Sequence, residues 1–193
     1  TGGILSATGT SNITITNVIE AAFRNEGTAN LDGNMVMTNG IPKNGFINAG
    51  TTWICDSLLW VIANTGMSGI VNSGVITSDP GARIDISNTI QHGINNTGSW
   101  TSTSNIKIGP NINGNGIQTS ALFDTKGPID IMDATTGILV SNGGTLNINI
   151  CGEVTTDSKI SLNAGGLLTN LGLLSSLYEG GMHSLSGQLT NNG

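Results

Sequence analysis

Charge is what this chain of 193 residues lacks most: 12 acidic and 6 basic side chains make only 9% of it charged, with a net charge of −6. An ordinary globular domain carries roughly 25%. So few basic residues exclude a nucleic-acid partner, because a backbone-binding surface needs clustered phosphate-neutralising charge. A polybasic membrane anchor is excluded for the same reason. The longest apolar run, Leu58 to Ala63, is six residues long, far short of a membrane-spanning helix, so membrane insertion is not expected. Aromatic residues are only 4% of the chain and cysteines number two. No signal peptide is visible, and the chain begins Thr-Gly-Gly without an initiator methionine; that is compatible with a processed secreted protein or with a piece cut from a longer chain.

What is abundant is glycine, 29 residues of it, together with Asn, Thr and Ser, while 37% of the chain is apolar. Aliphatic residues recur from end to end, which argues against disorder. The surface must therefore be covered by uncharged polar side chains.

Two unlike features share one period. Asn-x-Gly turns occur at Asn25-Glu-Gly27, Asn48-Ala-Gly50, Asn72-Ser-Gly74 and Asn96-Thr-Gly98, in nearly equal steps. Asn142-Gly-Gly144 follows two such steps later, and Asn163-Ala-Gly165 and Asn191-Asn-Gly193 extend the series with looser spacing. Alternating apolar and polar triplets, the mark of a half-buried strand, stand at Ile13-Thr-Ile15, Met35-Val-Met37, Leu59-Trp-Val61, Ile84-Asp-Ile86, Ile106-Lys-Ile108 and Ile129-Asp-Ile131, and they recur at the same interval. A unit of this length cannot bury its own apolar stripe, but stacked units bury a continuous core. The expected fold is all-β: a single-stranded parallel β-helix, or β-solenoid, of about eight coils of roughly 23 residues. The general rule for parallel crossovers makes it right-handed. One domain spans 1–193, with regular repeats over 10–145 and less regular ones over 146–193. No helix is expected beyond a short turn within residues 17–24.

The turn asparagines Asn25, Asn48, Asn72, Asn96, Asn142 and Asn163 have two expected roles. Sharp corners need positive φ, which glycine and asparagine tolerate, and asparagines stacked at one corner can pair their amides and so order the surface.

Cys55 and Cys151 lie close to four periods apart in the chain, which four stacked coils convert to roughly 19 Å. That is beyond disulfide reach, and both are expected as inward-pointing thiols packed like small hydrophobes. His92 and His183 have no ligand partners at metal spacing, and Asp124, Asp130 and Asp133 match no calcium loop, so no metal or other cofactor is expected. Asp85, Lys107 and Asp130 fall at equivalent outward positions. They read as a charge ladder, with a polysaccharide-active acid pair as the minor alternative. No catalytic residue is assigned.

Trp53, Trp60 and Trp100 carry most of the aromatic surface. Trp53 and Trp100 follow Asn-x-Gly turns at offsets of five and four residues, and they read as core fillers, a sugar-binding strip or a protomer contact. Trp60 lies in five successive apolar residues, Leu58 to Ile62, that cannot all face inward, so a covering element is expected there.

Phe23-Arg-Asn-Glu-Gly-Thr28, Phe46-Ile-Asn-Ala-Gly-Thr51, Ile94-Asn-Asn-Thr-Gly98 and Leu139-Val-Ser-Asn-Gly-Gly-Thr-Leu146 resemble the degenerate repeats of secreted bacterial β-solenoid surface proteins, among them autotransporter passengers and haemagglutinin-type adhesins. The resemblance implies a secreted, extracellular or cell-surface location, a role in adhesion or matrix building, and no catalysis. Such proteins run much longer, which points either to a fragment of a longer protein or to a subunit that extends itself by association. The expected assembly edges are Gly2, Gly3, Ile4 and Leu5 at one end and Leu189, Asn191, Asn192 and Gly193 at the other, where no polar cap is visible. The expected partner is a second copy, head to tail in a homopolymeric fibre, with a cell-surface glycan as a further candidate. The competing readings are an adhesin, a trimeric viral tail fibre, a polysaccharide lyase and an ice-binding array in which Thr28, Thr51 and Thr145 fit while Val75 and Ser99 interrupt.

Overall fold

A computed structural model describes residues 4–7, 12–55, 59–141, 143–180 and 183–192. The chain winds through three short strands per coil, first β1 (Ile4–Ala7), β2 (Asn12–Ile15) and β3 (Phe23–Asn25). Each strand pairs in parallel with its counterpart one coil on, as Ile4 does with Thr28, Asn12 with Asn34 and Phe23 with Phe46. The result is a three-faced parallel β-solenoid of about eight turns. Face 1 is a nine-stranded sheet running from β1 to Gln188–Asn191. Face 2 runs from β2 to Leu173–Ser176 and face 3 from β3 to Ser184–Leu185. Faces 2 and 3 are continuous at one corner, where Thr89 pairs with Ile112, so they count as one 16-stranded sheet.

The period-2 pattern explains the core. In Arg83–Thr89 the burial alternates from exposed Arg83 to buried Ile84, half-buried Asp85 and buried Ile86, because successive strand side chains point to opposite faces. Down face 2 the inward row reads Met35, Trp60, Ile84, Ile106, Ile129 and Val154. All of these are buried. Face 3 adds Phe46, Ile70, Ile94, Ile117 and Ile138 in register, and face 1 adds Ile76, Trp100, Phe123 and Leu146. Aromatic residues meet inside: Phe46 stands edge-on to Trp60 with centroids 5.1 Å apart, and Trp100 lies 5.3 Å from Phe123.

The apolar run at Trp60 needs no covering element. Trp60 and Ile62 point inward and are buried, while Leu59 and Val61 point outward; Leu58 lies outside the described residues. Residues 17–22 form bends rather than a helical turn, and β3 follows directly.

The corners follow a different rule from the expected one. Among the described Asn-x-Gly residues, none of Asn25, Asn48, Asn72, Asn96, Gly50, Gly74 and Gly98 has positive φ. Glycine is required there by close approach: a Cβ on Gly74 would lie 2.0 Å from the carbonyl oxygen of Gly50 one coil below. The positive-φ residues form a separate column at the corner between faces 2 and 3: Asn17, Asn39, Asn64, Asn88, Asn111 and Asp133. Their spacing along the chain is a third expression of the same period. Among the described residues positive φ also occurs at Cys151, between faces 1 and 2, and, at the corner between faces 3 and 1, at Gly143 and Gly165 alone. There the connection lengthens: Val140 and Thr145 are five residues apart, where Asn96 and Ser99 are three.

Candidate functional site

Three constellations in the solenoid carry chemistry beyond packing: an internal amide ladder, a mixed-charge groove and an open coil edge.

The ladder lies at the corner between faces 3 and 1. Asn25 Nδ2 donates to Asn48 Oδ1 at 2.9 Å, Asn48 to Asn72 at 2.8 Å and Asn72 to Asn96 at 2.8 Å, and Asn96 Nδ2 donates to Thr119 Oγ1 at 3.1 Å. The second amide hydrogens reach backbone carbonyls, as Asn72 Nδ2 does to Ser99 O at 3.1 Å. The expected amide pairing is present, yet it orders the interior rather than the surface, since all four asparagines are buried. A buried amide without partners costs on the order of 1–3 kcal/mol, and the ladder satisfies each one. Above Thr119 the register continues through Val140, Leu162 and Leu185. Asn163 therefore falls one residue past the ladder position and is exposed, and Asn142 lies outside the described residues. The sequence reading missed Asn170-Leu-Gly172, whose Asn170 Nδ2 donates to Asn191 Oδ1 at 2.7 Å.

The groove is on face 2. Asp85, Lys107 and Asp130 occupy successive rungs of one outward row, and the structure adds Arg83 and Glu153, which stand on the parallel outward row two residues before Asp85 and Thr155. Arg83 grips Asp85 through Nε to Oδ1 at 2.9 Å and Nη2 to Oδ2 at 2.9 Å. This partner raises the Arg83 pKa, by hydrogen bond first and charge second. Asp85 is thus committed to an ion pair with its own strand. Lys107, Asp130, Glu153, Asn105 and Thr155 line a surface groove of about 450 Å³. At the corner between faces 2 and 3, Lys43 donates to Glu20 at 2.6 Å and holds its carboxyl below the usual range. Among the described residues no group of three His, Cys, Asp or Glu is placed to hold a metal ion.

The histidines are backbone acceptors. His92 Nδ1 accepts the Asn115 N–H at 3.2 Å, and burial holds its pKa below the ordinary value. His183 Nδ1 accepts the Ile160 N–H at 3.0 Å. Cys55 and Cys151 are not joined to each other, and Cys151 does not point inward as expected: it is exposed, in a turn at φ 73°. The turn following Thr145–Ile148 places Cys151 beyond the strand, so the alternation that buries Ile148 does not extend to it.

The tryptophans part company. Trp100 is buried opposite Ile76, whereas Trp53 pairs with Thr77 on the outward row and is 49% exposed. Their offsets from the preceding asparagine differ by one residue, and one residue exchanges the faces of a strand.

At the open edge, face 1 ends at Gln188–Asn191, face 2 at Leu173–Ser176 and face 3 at Ser184–Leu185. Leu185 and Leu189 continue the inward rows of Leu162 and Leu168 but are 51% and 45% exposed, with no coil beyond them among the described residues. With Ile160, Leu174 and His183 they rim a cavity of about 200 Å³ that opens at this end. Of the other expected edge residues, Asn191 and Asn192 are exposed, and Ile4 and Leu5 belong to β1; Gly2, Gly3 and Gly193 lie outside the described residues. Comparison with protein-family models, with curated proteins and with solved structures finds no match to this chain.

Proposed function

We propose that this β-solenoid is a structural protomer of an extracellular or cell-surface fibre, extended by stacking the open coil edge of one copy on the first coil of the next. The observation that carries this reading is the open end of the core, where Leu185 and Leu189 point along the inward rows yet remain half exposed. An unpaired strand edge is a template for a further strand. Among the described residues three such edges bound the coil at this end, so a second copy stacked there continues three ladders and one core at once. At the opposite end Ile13, Ile15 and Phe23 are only partly buried against the core. The low charge leaves little repulsion between stacked ends. The fold is consistent with secreted bacterial surface proteins without being specific to them.

Sedimentation velocity and electron imaging over a concentration series test the reading. Growth into rods of one solenoid's width is expected, and a Leu185→Glu, Leu189→Arg double variant is expected to stay monomeric while keeping its β-sheet spectrum. A monodisperse monomer at every concentration, or lateral rather than axial association, overturns it.

A further inference from the structure

Face 1 holds an exposed tryptophan amid polar side chains that leave their hydrogen-bonding groups open to solvent. Trp53 projects from Thr51–Ile54 between Asn30 on the rung below and Thr77 on the rung above. Thr28, Thr51 and Val75 stand in the parallel outward row, and Thr101 follows Thr77. All of these neighbours and Trp53 itself are exposed. The side chains of Thr28, Asn30, Thr51, Thr77 and Thr101 make no hydrogen bond within the described residues. Asn30 stands outside the columns of paired asparagines, which are buried at Asn25 to Asn96 and exposed at Asn39 to Asn64 and Asn88 to Asn111. The backbone beneath is consumed by the parallel ladders, so recognition on this face falls to side chains.

Charge narrows the ligand. Among the described outward positions of face 1, Asp124 alone is charged, and its carboxylate already accepts the amide of Asn149. No cation stands ready there for a carboxylate, sulfate or phosphate. We infer that the Trp53 platform binds a neutral polysaccharide: one pyranose ring stacks its C–H face on the indole, and the flanking hydroxyls and the Asn30 amide bond the sugar's hydroxyl rim. Threonine hydroxyls and an asparagine amide each both donate and accept, as sugar hydroxyls do. The sheet sets these groups on a rigid grid of about 4.8 Å between rungs and about 6.7 Å along a strand, so binding orders little. A second protein copy fits this face less well. A standard interface buries about 800 Å² per partner around an apolar centre, whereas Trp53 and Val75 are divided from Leu122 by the Ser99 and Thr101 rung.

The molecule supplies its own reporter, because Trp60 and Trp100 are 0% exposed and Trp53 is 49% exposed. Acrylamide quenching of tryptophan fluorescence therefore reads Trp53. Titration with cellohexaose and with chitohexaose is expected to shift emission to the blue and remove the quenchable fraction, saturably, for at least one of them. Trp53→Ala is expected to lower retention on the matching insoluble polysaccharide by about tenfold, with unchanged circular dichroism and melting temperature; Trp53→Phe is expected to retain part of it. Thr77→Ala is expected to weaken binding by about fivefold, the loss of one hydrogen bond. Unchanged quenching with both sugars, retention indifferent to Trp53→Ala, or binding confined to polygalacturonate overturns the inference. So does shielding of Trp53 that grows with protein concentration alone, which assigns the face to a second copy.

Discussion

Two columns of asparagine run up this solenoid at two different corners, and they are there for opposite reasons. At the corner between faces 3 and 1, Asn25, Asn48, Asn72 and Asn96 are buried, have ordinary backbone angles and pair amide to amide through the interior. At the corner between faces 2 and 3, Asn39, Asn64, Asn88 and Asn111 are exposed and take φ between 51° and 62°. The first column is kept by its side chains, the second by its backbone. Asparagine serves both because its amide donates and accepts at once and because it tolerates the left-handed region better than most residues.

The difference can be broken by substitution. The largest effect is expected at the buried corner's glycine. In Gly74→Ala the new Cβ meets the Gly50 carbonyl oxygen at 2.0 Å and the Ala49 carbonyl carbon at 2.8 Å, and no rotamer change relieves a backbone clash. A loss of about 3 kcal/mol, the upper range for overpacking, is expected in chemical denaturation; a midpoint unchanged from wild type removes close approach as the reason for glycine.

Next comes the contrast between the columns. Asn72→Ala strips the acceptor from Asn48 Nδ2 and the donor from Asn96 Oδ1 and Ser99 O, with an expected cost of roughly 2–3 kcal/mol. Asn88→Ala forces alanine into positive φ and gives up one exposed bond from Asn111, about 1 kcal/mol. Asn88→Gly restores the angle and is expected to recover most of that loss, whereas Asn72→Gly recovers none. Equal responses of the two sites to glycine collapse the distinction.

The smallest effect concerns pH. Burial lowers the His92 pKa in the folded state, so the unfolded chain takes up the proton more readily. The contribution of His92 is therefore complete above its unfolded pKa of about 6.5 and declines as pH falls through that value toward the folded one. Protonation also converts Nδ1 from acceptor to donor against the Asn115 N–H. A modest fall in melting temperature between neutral and mildly acid pH is expected, and His92→Gln is expected to flatten that part of the profile; an unaltered profile in the variant assigns it to other groups.

Much of the fold was legible because strand alternation and coil length are properties of neighbouring residues. Ile84-Asp-Ile86 and Ile106-Lys-Ile108 fall in adjacent rungs as their spacing implies. The reasons behind the corners were less legible. Asn72 and Asn88 are the same letter, and whether a side chain is enclosed depends on which coil lies above it. The positive-φ column did have a signal, a recurrence near the same period, but no glycine accompanies each member to mark it. Asn163 was misplaced because Leu162 takes the position in register with Asn96 and the connection from Leu162 to Leu167 is longer, so the motif starts one residue late. Trp53 and Trp100 differed by a one-residue offset visible in the sequence, and that offset decides inside from outside. Arg83 and Glu153 joined Lys107 and Asp130 only through pairing between strands a full coil apart along the chain.

By itself the sequence determined that the chain stacks. An apolar stripe that returns once in every coil has nowhere to go except against its own next copy, and a charge-poor surface permits the coils to close. Tertiary structure decided what each repeated residue is for. Register placed one asparagine column inside and the other at the surface, and gathered Lys107, Asp130 and Glu153 from three coils into one groove. These outcomes depend on contacts about 4.8 Å away in space between residues a full coil apart in sequence, and local pattern carries no record of them.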